Sequence, residues 1–420
     1  MARAPKKTET EKADKPLSKL AAMRGVLDRV LKNDDSLVQV DEDHFKESFP
    51  HIPTGSAIVD YLIGGRPNKY GVLPCPGFPR GRLVNLYGME SAGKTTLCLT
   101  VCAQVAAMGG STCYIDWEHT LDLSYAKSLG VPVDDPDLFV LYQPESLEKG
   151  LSILWTAAKA GIDLIVLDST GAAVPNQVLE QAIDDKGGQT RIGLAAAIWS
   201  RFLPELKGIT ARSGSCVVGI SQLRKKISTG FGAGRGEGTT VQGGEAWKFY
   251  SEVRIGLRRI KFEKGKVYSI IENKMIDDVV RSQIQVKIDK CKLAGSQGMS
   301  ANFFINHGEG IDDLRSIIDI AIAHKIVQKG GAWFEFTMGN GKVLRGQGMQ
   351  GFKDLLRTED GALDELYKRT LDRLAQVAKE SLMTTDNFED DFDDDISEID
   401  AILGKGNVEE SEDEDFDDGE

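Results

Sequence analysis

The sequence predicts an α/β fold with a mostly parallel sheet, on three observations. From Arg82 to about Ile220 apolar strand-like runs alternate with helix-like patterns, the order that lays helices over the faces of a parallel sheet. The first of those strands runs directly into a glycine-rich loop and a helix. The chain has 420 residues and is 41% apolar, enough to bury a large core and to divide into a main domain with smaller attachments.

The elements follow in order. Residues 1–15 (MARAPKKTETEKADK) carry no apolar period, whereas Leu20, Met23, Leu27, Val30 and Leu31 fall at helical spacing and predict a short amphipathic helix between Leu17 and Leu31. Set apart by NDDS and an acidic run, this helix packs either on its own core or on a neighbouring copy. Gly64 to Gly81 is a Pro/Gly-rich connector. After the alternating region, residues 252–290 read as several β segments and 311–382 as a small α+β region. The expected limits are 1–50 for the N-terminal tail and helix, 51–308 for the core, 309–385 for a small C-terminal α+β domain and 386–420 for an acidic disordered tail. No internal repeat is visible.

The net charge of −13 is unevenly spread. From Asp386 onward there are eighteen Asp/Glu and one basic residue, Lys405, a charge of −17 that leaves +4 on residues 1–385. A mildly basic body admits a nucleic-acid partner, and such a tail is ordinarily a solvated interaction segment. A sharper reading has it mimic a polyanion and screen the body. The six cysteines (Cys75, Cys98, Cys102, Cys113, Cys216, Cys291) show no CxxC or Cys/His pairing and read as buried small apolar residues of a reducing compartment. No run of eighteen uncharged apolar residues and no apolar leader occurs, so a cytoplasmic protein without a membrane partner is expected.

The glycine-rich loop is Gly88, Met89, Glu90, Ser91, Ala92, Gly93, Lys94 and Thr95, followed by Thr96. It is a full GxxxxGK motif closed by Thr, between a strand and a helix, the context a phosphate loop requires. Its backbone N–H groups and the helix N-terminus suit phosphate, Lys94 suits the β and γ oxygens, and the Thr95 hydroxyl suits magnesium. ATP and Mg2+ are therefore expected. A second buried strand, GIDLIVLDST, ends on Asp168, expected to organise the metal through water. Ser169 and Thr170 follow it where many such sites place a water-activating carboxylate, so the base must come from elsewhere. Glu118, just after the apolar strand TCYIDW, is the best candidate, because a loop there faces the γ-phosphate from the carboxyl edge of the sheet.

The segments GMESAGKTTL, IDWEHTLDLSYAKSLGV, LIVLDS and SQLRKKI together resemble the RecA family of bacterial and phage recombinases. The likeness continues through TTVQGGEAWKFYSEVRIGLRR, VKIDKCKLAGS and GEGIDDLRSIIDIAIAHKIVQKGGAWFEF, covering roughly residues 50–350. The resemblance implies a RecA-type P-loop ATPase core, with Glu118 as the catalytic carboxylate, Asp122 and Tyr125 against adenine, and Gln222 sensing the γ-phosphate. It further implies that Lys290 and Lys292 reach a neighbouring subunit's ATP; alternation on a strand puts both on one face. DNA contact is implied for two glycine-bearing segments, 176–192 and 224–244, with Lys186, Arg191, Arg224, Lys225, Lys226, Phe231, Arg235, Gly243 and Gly244 as contacts.

The function so implied is a DNA-dependent ATPase that joins head to tail through the N-terminal helix into a helical filament on single-stranded DNA. The filament would pair with homologous double-stranded DNA and meet single-strand-binding and mediator proteins. A ring-forming helicase of the same fold and a regulatory paralogue are the alternatives. The Lys290/Lys292 pair favours the filament, and the complete set Lys94, Thr95, Glu118, Asp168 and Gln222 argues against a degenerate paralogue. Four departures stand out: Trp117 where a small residue is common, a connector lengthened by RPNKYGVLPCP, a second DNA loop a few residues longer than usual, and the acidic residues Glu180, Asp184 and Asp185 in the first.

Overall fold

The computed structural model describes residues 43–180, 188–225, 239–241 and 245–385, together with Met23. The chain divides into two units at Lys46/Glu47. Of the first unit the described part is Met23 and a 3-10 turn at Asp43–Phe45, closed by an ion pair from Lys46 to Asp43. The remainder of the expected N-terminal helix and the acidic tail after Thr385 lie outside the described residues.

In the second unit a small antiparallel pair, β1 (His51–Ile52) and β2 (Phe78–Pro79), flanks helix α1 (Ala57–Gly64). The core then alternates: β3 (Leu83–Gly88), α2 (Lys94–Ala107), β4 (Thr112–Asp116), α3 (Leu123–Ser128), β5 (Phe139–Tyr142), α4 (Leu147–Ala160) and β6 (Leu164–Asp168). After these come α5 (Asn176–Leu179), α6 (Gly188–Ser213), β7 (Cys216–Lys225), β8 (Thr239–Val241) and α7 (Ala246–Tyr250). Two long strands, β9 (Val253–Ser269) and β10 (Lys274–Cys291), precede β11 (Ser300–Asn306) and β12 (Gly310–Ile311).

Among the described residues one sheet has the order β12-β11-β10-β9-β3-β7-β6-β4-β5, with β8 paired to β7 off that path. The strands from β9 to β5 along this order are mutually parallel, as expected, and the β9–β12 end is antiparallel. Alternation sorts the core to two faces. Leu164 and Val166 join one apolar cluster with α1 and α2, while Ile165 and Leu167 join another with α4, α6 and α7. Helices therefore cover both faces, which is why the parallel strands are apolar along their whole length.

The region read as several β segments is dominated by one hairpin, whose turn includes Asn273 in the left-handed region. Beyond it lie α8 (Asp313–Ala323), a three-stranded antiparallel sheet of β13 (Val327–Gly330), β14 (Trp333–Thr337) and β15 (Val343–Gln347), then α9 (Gly348–Thr358) and α10 (Ala362–Thr385). Phe334, Phe336, Leu344, Phe352 and Leu366 from this region share the apolar cluster of the main sheet. The buried Asp312 carboxylate fastens the junction, held by Lys353 from α9 and by Arg281 of β10 at 3.4 Å.

Both segments expected to contact DNA contain regular structure among the described residues. The first is helical at Asn176–Leu179 and again from Gly188, because the Ala-, Ile- and Trp-rich run after Gly188 carries a helical period that reaches back into it. Of the second, the described residues are paired strand, with Arg224 opposite Thr240 and Lys225 opposite Thr239. Cys75, Cys98, Cys102, Cys113 and Cys216 are buried as free thiols and Cys291 is half-buried.

Candidate nucleotide site

The phosphate loop leaves β3 at the carboxyl edge of the parallel strands and enters α2. Two glycines are dictated by close approach. A Cβ on Gly88 would lie 2.3 Å from the Leu257 carbonyl oxygen, a backbone atom that cannot give way. Gly93 adopts φ +85 as the residue before α2, and its Cβ would meet Ile305 Cδ1 at 2.4 Å. The loop can thus bring its N–H groups around an anion without side chains intervening. Ser91 also holds a positive φ of 56, and its carbonyl accepts from Arg259 Nη1 at 3.1 Å.

Lys94 is buried at the head of α2 and donates to the Gly88 and Met89 carbonyls at 3.2 and 2.8 Å. Burial pushes its ammonium below the usual range, against the pull of Asp168 and Glu118. Such an ammonium is compensated by an incoming phosphate. Thr95 Oγ1 donates to Asp168 Oδ2 at 3.0 Å, so the two groups expected to hold magnesium already touch. Tyr114 of β4 donates to the same oxygen at 2.7 Å. Burial raises the Asp168 carboxyl to about 6, despite those two hydrogen bonds. Among the described residues no three His, Cys, Asp or Glu side chains are placed to hold a metal ion by themselves. Magnesium here would rest on Thr95, Asp168, water and phosphate oxygens, a donor set that suits a hard cation.

Glu118 is aimed by Asp116, the last residue of β4. The Asp116 carboxylate accepts from the backbone N–H groups of Glu118 and His119, each at 2.9 Å, and of Leu121 at 3.2 Å. Those three bonds fold the chain back after the strand, with His119 at φ +55. Glu118 Oε1 then accepts from Gln222 Nε2 at 2.7 Å and from the Ser169 hydroxyl. Strand register explains the meeting: Asp116 pairs with Asp168, and Gly88 pairs with Gln222. Beneath them Asn85 and Thr170 both reach the buried Ser221 hydroxyl, at 2.9 and 3.0 Å, tying β3, β6 and β7 together.

Asp122 caps α3 by accepting from the Ser124 and Tyr125 N–H groups at 2.8 and 3.0 Å. The Tyr125 and Thr96 hydroxyls lie 3.2 Å apart. Both residues line a cavity of about 400 Å3 beside the loop, with Arg259, Phe262, Ser282, Ile305 and His307 on its far wall. Sequence reasoning missed this wall. It also missed Tyr114 and Asp116, whose signal was a Tyr and an Asp two apart in an otherwise apolar strand, and Ser169.

Lys290 and Lys292 stand apart from this assembly. Lys290 pairs with Arg254 at the start of β9, the amino edge of the parallel strands, and its ammonium donates to the Lys248 and Phe249 carbonyls at 2.9 Å. Strand β10 ends at Cys291, so Lys292 lies just beyond it, and a register shift falls between Ile288 and Lys290. By register Arg254 lies opposite Asn85, three residues and roughly 10 Å along β3 from Gly88, with β9 between β10 and β3. Among the expected DNA contacts Arg224 and Lys225 close β7 and Arg191 lies in α6. Lys186, Lys226, Phe231, Arg235, Gly243 and Gly244 lie outside the described residues.

Comparison with known proteins agrees with this architecture. Residues 25–312 match the model of the RecA N-terminal domain. The protein RecA of Gluconobacter oxydans is 37% identical over 79% of this chain and 86% of its own length. That of Chloroherpeton thalassium is 33% identical over 90% of this chain and 92% of its own, and that of Chlamydia felis 38% over 76% and 82%. A crystal structure of the RadB recombinase aligns at 19% identity with a TM-score of 0.41, over 62% of this chain and 98% of that one, too distant to bear on function. The chain belongs to the RecA family, the DNA-dependent ATPases of DNA recombination and repair.

Proposed function

We propose that this chain polymerises as a helical filament on single-stranded DNA and catalyses its pairing with homologous double-stranded DNA, using ATP and Mg2+. The observation that supports this most is the meeting of Gln222 and Ser169 on the Glu118 carboxylate, beside Lys94, Thr95 and Asp168. Gln222 lies three residues before the end of β7, where the second DNA segment begins. One side chain therefore touches the hydrolytic group and belongs to the strand that carries the DNA contacts.

In this reading Gly88, Met89, Glu90, Ser91, Ala92, Gly93, Lys94 and Thr96 hold the phosphates, Thr95 and Asp168 hold magnesium, the latter through water, and Asp122 and Tyr125 face the adenine. Bound ATP supplies the γ-phosphoryl group, and magnesium neutralises charge on its oxygens. Glu118 orients the attacking water and takes its proton, a role worth about 10²- to 10⁴-fold in rate. Ser169 and Gln222 fix which carboxylate oxygen is free to do so. Lys290 and Lys292, at the opposite edge of the sheet, act on the ATP of a neighbouring subunit.

The N-terminal segment to residue 50 serves as the oligomerisation arm, 51–308 as the ATPase core and 309–385 as an accessory domain. The acidic tail from 386 screens the basic body. DNA contacts fall on Lys186, Arg191, Arg224, Lys225, Lys226, Phe231, Arg235, Gly243 and Gly244, with single-strand-binding and mediator proteins as cytoplasmic partners. No described helix is long and apolar enough to cross a membrane. Electron micrographs of the protein on single-stranded DNA with a slowly hydrolysed ATP analogue test the reading. Long helical filaments that vanish in Lys94→Ala are expected, whereas closed rings alone would overturn it.

A further inference from the structure

Three tryptophans stack edge to face behind the nucleotide site. Trp117 sits between β4 and Glu118, Trp199 lies in α6 and Trp247 in α7. Ring centroids are 6.2 Å apart at 83° for Trp117 and Trp199, and 5.4 Å at 67° for Trp199 and Trp247. All three rings are buried. The surroundings are cut to fit them: a Cβ on Gly150 would lie 2.1 Å from Trp117 Cζ2, and one on Gly219 would lie 2.6 Å from Trp247 Cζ3.

The two ends of the stack are held differently. Trp117 is anchored, since its Nε1 donates to the Ser146 carbonyl at 3.1 Å and its backbone N–H to the Asp168 carbonyl at 2.7 Å. Trp199 and Trp247 have buried Nε1 atoms with no hydrogen-bond partner among the described residues. Packing alone sets their orientation, so they can repack without breaking a polar bond. Helix α6 starts directly after residues 181–187, α7 starts at Ala246 just after the second DNA segment, and Gly219, against which Trp247 lies, is three residues before Gln222 on β7.

We propose that Trp199 and Trp247 are positioning residues that carry the state of the two DNA segments to the Glu118 carboxylate. When DNA engages those segments, α6 and α7 shift against the sheet. The rigid indoles pass that shift to Trp117 and the turn that aims Glu118, because a close-packed interior moves between discrete packings and does not yield smoothly. This rests on the reading of the chain as a DNA-dependent ATPase.

The test uses the full-length protein and a fluorescent oligo-dT strand. ATP turnover with and without DNA, and DNA affinity by anisotropy, are measured for wild type, Trp199→Leu, Trp247→Leu and Trp199→Phe. Both leucine variants are expected to keep wild-type DNA affinity and DNA-free turnover. Their DNA stimulation should fall about five- to tenfold, in kcat and not in the KM for ATP. Trp199→Phe keeps an edge-to-face ring and should recover most of the stimulation. Full stimulation in both leucine variants overturns the proposal, as does an equal loss of DNA-free and DNA-stimulated turnover, which marks a scaffold role. Wild-type turnover indifferent to DNA would instead sink the ATPase reading beneath it.

Discussion

Gln222 donates its Nε2–H to Glu118 Oε1 across 2.7 Å, joining the seventh strand to the turn after the fourth. The same oxygen accepts from Ser169 at the end of the sixth. Two strands thereby fix a carboxylate carried by a third, each through a polar residue at or near its carboxyl end.

Removing one of those donors loosens the carboxylate without touching the phosphates. A hydrogen bond to a charged group contributes about 1.5–3 kcal/mol, so Gln222→Ala is expected to lower DNA-stimulated kcat by about 10- to 100-fold with little change in the KM for ATP. Steady-state hydrolysis at saturating DNA checks this. An unchanged kcat would show that Gln222 does not position Glu118.

Gly88 carries the tightest backbone approach in the loop, with the Leu257 carbonyl oxygen 2.3 Å from a built Cβ. Gly88→Ala is expected to destabilise the fold by about 1–3 kcal/mol and to abolish nucleotide binding, because β9 must move away from β3. Thermal melting and binding of a fluorescent ATP analogue measure the two effects. A variant that melts like wild type would contradict the close packing of these strands.

Burial raises the Asp60 carboxyl to about 7, although Thr54 N–H donates to its Oδ1 at 2.8 Å. Between about pH 4 and pH 7 the folded chain holds a proton there that the unfolded chain has released. Stability from this group therefore falls as pH rises through that window, and the penalty is complete above it. Asp60→Asn keeps the acceptor for Thr54 and cannot ionise, so it should be more stable than wild type at pH 8 by up to a few kcal/mol, the gain fading towards pH 4. Urea melts across that range decide it; a gain independent of pH would rule out titration of Asp60 as the cause.

If Lys290 and Lys292 act on a neighbour's ATP, the defect of their double alanine variant is complementable. That variant alone should lose about 10²- to 10³-fold in DNA-stimulated turnover while still binding ATP. Mixed with hydrolysis-deficient Glu118→Gln, which still offers both lysines, it should recover activity in shared filaments. A mixture no more active than its components would place the lysines outside the hydrolytic site.

The parallel sheet and the phosphate loop were legible because their signals are local: apolar runs of strand length, and a glycine motif whose backbone demands are met within eight residues. Glu118 was legible by its place after the strand TCYIDW and by the family resemblance around it, Ser169 having shown only that the base lies elsewhere. Its contacts were not, since they depend on the pairing of Asp116 with Asp168 and of Gly88 with Gln222, registers that no short window contains. The same holds for Trp117, visibly bulky in the sequence, whose space is made by Gly150 of α4. Glycine and charge drew notice to 176–192 and 224–244, while the helix and strand found at their described ends are set by neighbouring apolar positions.

ATP hydrolysis with and without single-stranded DNA, across a salt series and with Glu118→Gln as control, tests the central claim most directly. The account predicts strong stimulation by DNA that fades with salt and is absent in the variant, which still binds ATP. With about four phosphates neutralised per subunit, log affinity should fall against log salt with a slope near −2.8. Hydrolysis indifferent to DNA, or undiminished in Glu118→Gln, would contradict it.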